Sequence, residues 1–177
     1  ILVMERWDAA LARGARPLAE FFDYGASCDA SHMTAPHPEG RGAAAAMAQA
    51  LERARVDPAR VGHINAHGTG TPLNDATEAR AIASVFASNP AGRLPITSTK
   101  SQVGHLLGGS GAIEAATLIL SLLHQAIPPT LRWTHGDEGL SLDVVAGATR
   151  PHPFEMGLSN SFGFGGSNAS LLFGRAV

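Results

Sequence analysis

The sequence predicts an α/β domain. Short apolar runs of strand length alternate with longer segments in which Ala, Met and Leu recur at helical spacing. Glycine and proline clusters punctuate the boundaries between them. The chain has 177 residues, 45% of them hydrophobic, enough for one domain with a sizeable core.

The elements follow in order. Residues 1–3, Ile1-Leu2-Val3, read as the end of a buried strand, and with no initiator Met they read as a cut end. Residues 4–12 form a short amphipathic helix closed by Gly14. Residues 17–24 are apolar and aromatic, a strand. Residues 25–40 carry loop signals throughout. Residues 41–55 are Ala-rich at helical spacing, and Asp57-Pro58 starts a turn of helix before Val61. Residues 62–66 form a short strand. Asn74 or Asp75 caps the next helix, with Glu78 near its third position, and that helix runs to about Ser88 and stops at Asn89-Pro90. Residues 95–99 form a strand, and residues 104–126 a loop and helix ended by Pro128-Pro129-Thr130. Residues 140–145 alternate like a strand. Residues 155–161 and 167–173 are strands split by a Gly-rich bend, a hairpin pattern.

Composition excludes several classes. The formal net charge is −2 with both signs interspersed, so no basic stripe marks a nucleic-acid binder. No apolar run reaches the roughly 18–20 residues of a membrane helix. Residues 112–126 contain Glu114, Ser121 and His124 and read as a buried core helix. No basic start or small-residue cleavage site marks a leader. A single cysteine, Cys28, makes no internal disulfide and no CxxC zinc site, which suits a reducing, cytoplasmic compartment.

Three stretches carry the chemistry: Asn65-Ala66-His67-Gly68-Thr69-Gly70-Thr71-Pro72, Lys100-Ser101-Gln102-Val103-Gly104-His105 and Asn160-Ser161-Phe162-Gly163-Phe164-Gly165-Gly166. Singly, each has a bland alternative. A His before Gly is commonly structural, a lone Lys is commonly a solvated charge, and Phe164 between glycines fits a tight hairpin with the ring in the core or a mobile gate. Taken together they sit at strand-to-loop ends, which in α/β folds open onto the ligand crevice. Two imidazole donors on one oxygen would stabilise developing negative charge, and losing one such donor costs about 3–4 kcal/mol in barrier. Gly108-Gly109-Ser110-Gly111 is not a nucleophile elbow. His63 and His67 are four apart on a strand-like segment with no HExxH, a weak zinc signal. Cys28 has no basic neighbour to activate it and reads as an incidental thiol.

Together these stretches resemble the C-terminal half of a β-ketoacyl-acyl-carrier-protein synthase, an elongating, synthase II-like condensing enzyme of the thiolase-fold superfamily. The resemblance covers nearly the whole chain, with Asp29-Ala30-Ser31-His32-Met33-Thr34 as a looser fourth match. It implies half of a five-layered α/β/α/β/α sandwich: one mixed sheet with its helices, leaving a large apolar helix surface uncovered when alone. It implies that His67 and His105 are the catalytic histidines of malonyl decarboxylation, with Lys100 in an electrostatic role and Glu78 orienting it. It implies that Thr69, Thr71 and Thr34 bind a phosphopantetheine arm and that Phe164 gates the nucleophile with Phe162 beside it. Asn65, Glu78, Glu114, Ser159 and Asn168 match positions near a structural monovalent cation. The family's nucleophilic Cys lies in an N-terminal half missing here, and Cys28 is not that residue.

The implied function is the histidine-bearing part of a 3-oxoacyl-[acyl-carrier-protein] synthase, inactive without its other half. No cofactor is tightly bound; an acyl-carrier protein brings the substrate arm, and the full-length enzyme is a homodimer. The alternatives are a non-catalytic chain-length-determining partner and part of a polyketide synthase. The ending shortly after Phe173 favours a stand-alone fatty-acid enzyme.

Overall fold

The computed structural model describes residues 1–89, 94–136 and 142–176. Its centre is a six-stranded mixed sheet in the order β1 (Ala19–Cys28), β8 (Ser167–Arg175), β7 (Met156–Gly163), β2 (Val61–Asn65), β3 (Pro95–Thr97) and β5 (Asp143–Val144). β8 runs antiparallel to both of its neighbours, β1 and β7. β7, β2, β3 and β5 run parallel, so their C-terminal ends share one edge. A two-stranded pair, β4 (Ala126–Ile127) with β6 (Arg150–Pro151), stands apart.

Strand alternation sorts side chains to two cores. Met156 and Leu158 of β7 and Leu172 of β8 join α2 (Arg41–Ala54) and α3 (Pro72–Val85) on one face through Met47, Leu51 and Ile82. Phe173 of β8 joins α5 (Ser110–His124) on the other face through Leu118 and Leu122. Gly25 of β1 permits close approach of α2: a Cβ there would lie 1.9 Å from the Ala46 carbonyl oxygen.

The hairpin expected over 155–173 forms, with β7 and β8 in register from Met156 opposite Gly174 to Gly163 opposite Ser167. Elsewhere tertiary pairing overrides local signals. β1 continues through Cys28 into the stretch expected to be loop, because Gly25–Cys28 pair with β8. The first helix is α1 (Trp7–Ala12), shorter than expected, and Ile1–Val3 are exposed and form no strand. α3 begins at Pro72, two residues before the expected caps, since proline suits the first helical position. Glu78 therefore lies in its second turn, not in a capping box. α3 ends at Val85, and Pro90, part of its expected stop, lies outside the described residues. β3 ends at Thr97, and Lys100 opens a single helical turn, α4 (Lys100–Val103). Of the strand expected over 140–145, Asp143–Val144 pair with β3; residues 140 and 141 lie outside the described residues.

The helix expected to be buried is buried on one side only. Ile113, Leu120 and Leu123 of α5 are 41%, 53% and 45% exposed, forming the uncovered apolar surface that the resemblance implies. The helical run Leu107–His124 is apolar and long enough to cross a membrane, yet its other face packs on the sheet through Ala115, Leu118 and Leu122.

Candidate active site

The parallel strands deliver the three motifs to one edge of the sheet. β2 ends at Asn65 and leads into His67; β3 ends at Thr97 and leads into Lys100; β7 carries Phe162 at its end. The loop between α4 and α5 adds His105. The His67 and His105 rings meet edge to face, with centroids 5.6 Å apart. Phe162 lies against His67, also at 5.6 Å.

Each imidazole is tied back through Nδ1. The Lys100 ammonium donates to His67 Nδ1 at 3.2 Å. The backbone N–H of Leu107 donates to His105 Nδ1 at 3.1 Å. Nδ1 is thus an acceptor in both rings, so the proton of each neutral imidazole sits on Nε2. Burial, then the charge of Lys100, then His105 push the His67 pKa down to about 3. His67 is therefore a neutral donor near pH 7.

Lys100 and Glu114 form a buried ion pair, their side chains 5% and 1% exposed. Burial pushes the Glu114 carboxyl up, and the Lys100 ammonium pulls it back down. Ser161 Oγ donates to the same carboxylate at 3.5 Å. Glu78 does different work. Its carboxylate accepts the backbone N–H groups of His67 and Gly68, both at 2.9 Å, and the Asn160 amide at 3.1 Å. That clamp holds the backbone at Gly68, whose φ of +39 favours glycine. Burial raises the Glu78 carboxyl, and these donors oppose it.

His67, His105, Thr34, Thr69, Thr71 and Phe164 line one open groove of about 1220 Å³. Lys100 lines a second cavity of about 440 Å³ beside the groove, and Thr69 and His105 line both. Phe164 stands 81% exposed at the groove, which rules out packing in the core.

Residues 18–134 match the family model for the β-ketoacyl synthase, C-terminal domain. The chain belongs to that family. This β-ketoacyl synthase domain is 47% identical over 173 residues to the 3-oxoacyl-[acyl-carrier-protein] synthase 2 of Synechocystis sp., covering 98% of the chain and 41% of that protein. The chain thus spans about two fifths of the length of the curated relatives it matches. Among solved structures it resembles the ishigamide ketosynthase/chain length factor, with a TM-score of 0.90 and 38% identity over 97% of this chain and 41% of that one. It also resembles a type II polyketide-synthase ketosynthase solved with its acyl-carrier protein and bound to the hexaketide, with a TM-score of 0.92 and 34% identity over 98% of this chain and 42% of that one. These are thiolase-fold ketosynthases, and the mixed sheet with helices on both faces is the C-terminal half of that sandwich.

Within this β-ketoacyl synthase domain, two sequence assignments need correction. Glu78, expected to orient Lys100, instead holds the backbone at His67 and Gly68; Glu114 is the acid that pairs with Lys100. The signal for Glu114 was its isolation: a carboxylate in an apolar helix needs a buried partner. The five expected cation residues also do not converge. Asn168 donates to Asp29 and to the Gly166 carbonyl near the hairpin bend, and Glu78 faces Asn160 on the α3 side. Asn65, Glu114 and Ser159 share the α5 side, where the Ser159 hydroxyl is buried without a partner among the described residues. That orphaned oxygen fits a small cation. No cluster of three or more His, Cys, Asp or Glu suited to a metal occurs among the described residues. His63 is separate from the site: its Nδ1 lies 3.0 Å from the Pro95 carbonyl, and burial pushes its pKa down to about 4. Cys28 Sγ lies 3.6 Å from the Gly165 carbonyl oxygen.

Proposed function

We propose that this chain supplies the decarboxylating and enolate-stabilising half of a 3-oxoacyl-[acyl-carrier-protein] synthase acting in fatty-acid elongation. One observation carries the reading: both imidazoles are tied back through Nδ1, leaving two Nε2–H donors at one groove.

In the reaction, the bond between the malonyl carboxylate and its α-carbon breaks and carbon dioxide leaves. The electron pair passes to the thioester oxygen, where the Nε2–H groups of His67 and His105 receive the developing charge. The enolate carbon then attacks the acyl thioester carbonyl, and the thiolate of a cysteine outside this chain departs. Lys100 keeps His67 in the required tautomer, and Glu114 holds Lys100 in place. Thr34, Thr69 and Thr71 hydrogen-bond the phosphopantetheine arm of an acyl-carrier protein, and Phe164 gates the groove with Phe162. A structural monovalent cation would be held by Asn65, Glu114 and Ser159, fixing the sheet edge and taking no part in the chemistry. The complete enzyme is a cytoplasmic homodimer with no tightly bound cofactor. A decayed, chain-length-determining partner has no need of the Lys100–Glu114 pair behind an intact His67.

The test is condensation of an acyl thioester with malonyl-carrier protein by this chain alone and co-expressed with the N-terminal half of a related synthase. Product is expected only from the pair, and Cys28→Ser should leave it unchanged. Condensation by the chain alone, or by a pair carrying His67→Ala at the parent rate, overturns the reading.

A further inference from the structure

The Gly-rich segment where α5 begins contains a serine that the reaction does not use. Ser110, the first residue of α5, is 4% exposed. Its Oγ accepts the backbone N–H of Leu106 at 2.9 Å and lies 3.1 Å from His105 Nδ1. A hydroxyl has one proton to give, and with Leu106 donating to the oxygen that proton is free for Nδ1. The reverse arrangement, Nδ1–H donating to Ser110, conflicts with the Leu107 N–H, which already points at Nδ1 from 3.1 Å. Leu107 holds that position with a left-handed φ of +49, a conformation a leucine seldom adopts. Two donors therefore converge on one nitrogen of an otherwise exposed ring.

We infer that Ser110 is a positioning residue that fixes the His105 tautomer, delivering Nε2–H to the groove. It does for His105 what Lys100 does for His67, with a neutral hydroxyl in place of an ammonium. The arrangement divides the labour. The buried ring is held by a charge, and the exposed ring by a hydroxyl and a strained backbone amide. The catalytic importance of this tautomer rests on the function proposed above; the tautomer itself does not.

The experiment uses the full chain labelled with ¹⁵N-histidine at pH 9, where an ordinary imidazole is neutral, and reads which ring nitrogen of His105 carries the proton. The parent should show the proton on Nε2. Ser110→Ala should shift the Nε2–H to Nδ1–H ratio by about fivefold toward Nδ1–H, the factor set by one neutral hydrogen bond, while the His67 resonances stay put. Ser110→Thr, which keeps the hydroxyl, should hold the parent ratio. A parent with the proton on Nδ1 overturns the inference without any variant. So does an unchanged ratio in Ser110→Ala, or a ratio in Ser110→Thr shifted as far as that of Ser110→Ala. If the tautomer responds as expected but His105→Ala leaves malonyl decarboxylation intact in the paired complex, the functional reading fails and the role of Ser110 stands.

Discussion

Replacing Glu114 by glutamine keeps the side-chain shape and removes the charge that Lys100 rests against. Both groups are almost wholly out of water, so the ammonium loses the counter-charge it touches. Removing one partner of such a pair costs about 3–5 kcal/mol. The opposite deletion is milder. Lys100→Met leaves a carboxyl that burial already pushes up, and Glu114 escapes the penalty by taking a proton. Its cost should be about 1–3 kcal/mol, that of a buried polar group with a lost partner. The double variant leaves no stranded charge and should cost less than the sum of the singles, with a coupling of about 1–3 kcal/mol. Denaturant unfolding of the full chain at pH 7 measures all four corners of the cycle. A Glu114→Gln cost below about 0.5 kcal/mol, the range of an ordinary surface substitution, or strictly additive singles, refutes the pairing as the support of Lys100.

Three further outcomes follow from the same geometry. The folded-state pKa of His67 lies below its ordinary value of 6.5, so the unfolded chain binds the extra proton as pH falls from about 6.5 to about 3. This group therefore withdraws stability across that window, and Lys100→Met should raise the His67 midpoint in an NMR titration; an unmoved midpoint contradicts the Lys100 contact. Gly25→Ala should lower the unfolding midpoint, at a cost of about 1–3 kcal/mol, because its Cβ would meet the Ala46 carbonyl; a neutral result contradicts the packing of α2 on β1. Placing Lys at Ile113, Leu120 and Leu123 together should leave the circular dichroism of the chain intact and abolish co-purification with a synthase N-terminal half; retained pairing contradicts the role of this face.

The sequence made the motif residues legible because their signals are local. Glycines beside His67 and His105 mark bends, and the alternation in 155–173 marks a hairpin whose partner strand is its sequence neighbour. What stayed hidden depends on which face of the sheet a helix covers. Glu78 and Glu114 are both acids in helices that flank the site; the apolar surroundings of Glu114 call for a buried partner but do not say which one. Only the placement of α3 on one face and α5 on the other sends Glu78 to the His67 backbone and Glu114 to Lys100. The extension of β1 through Cys28 was hidden for a similar reason. Its loop-like composition is outweighed by pairing with β8, a partner some 140 residues away in the chain. Ser110 looked like a failed nucleophile until the loop folded back and set its hydroxyl against His105.

The most direct measurement is carbon dioxide release from malonyl-carrier protein by the chain paired with a synthase N-terminal half whose cysteine has been replaced, so that acyl transfer plays no part. With two Nε2–H donors sharing the enolate charge, His67→Ala and His105→Ala should each slow release by about 10²–10³-fold. Release at the parent rate in either variant would contradict the placement of both imidazoles at the reacting oxygen.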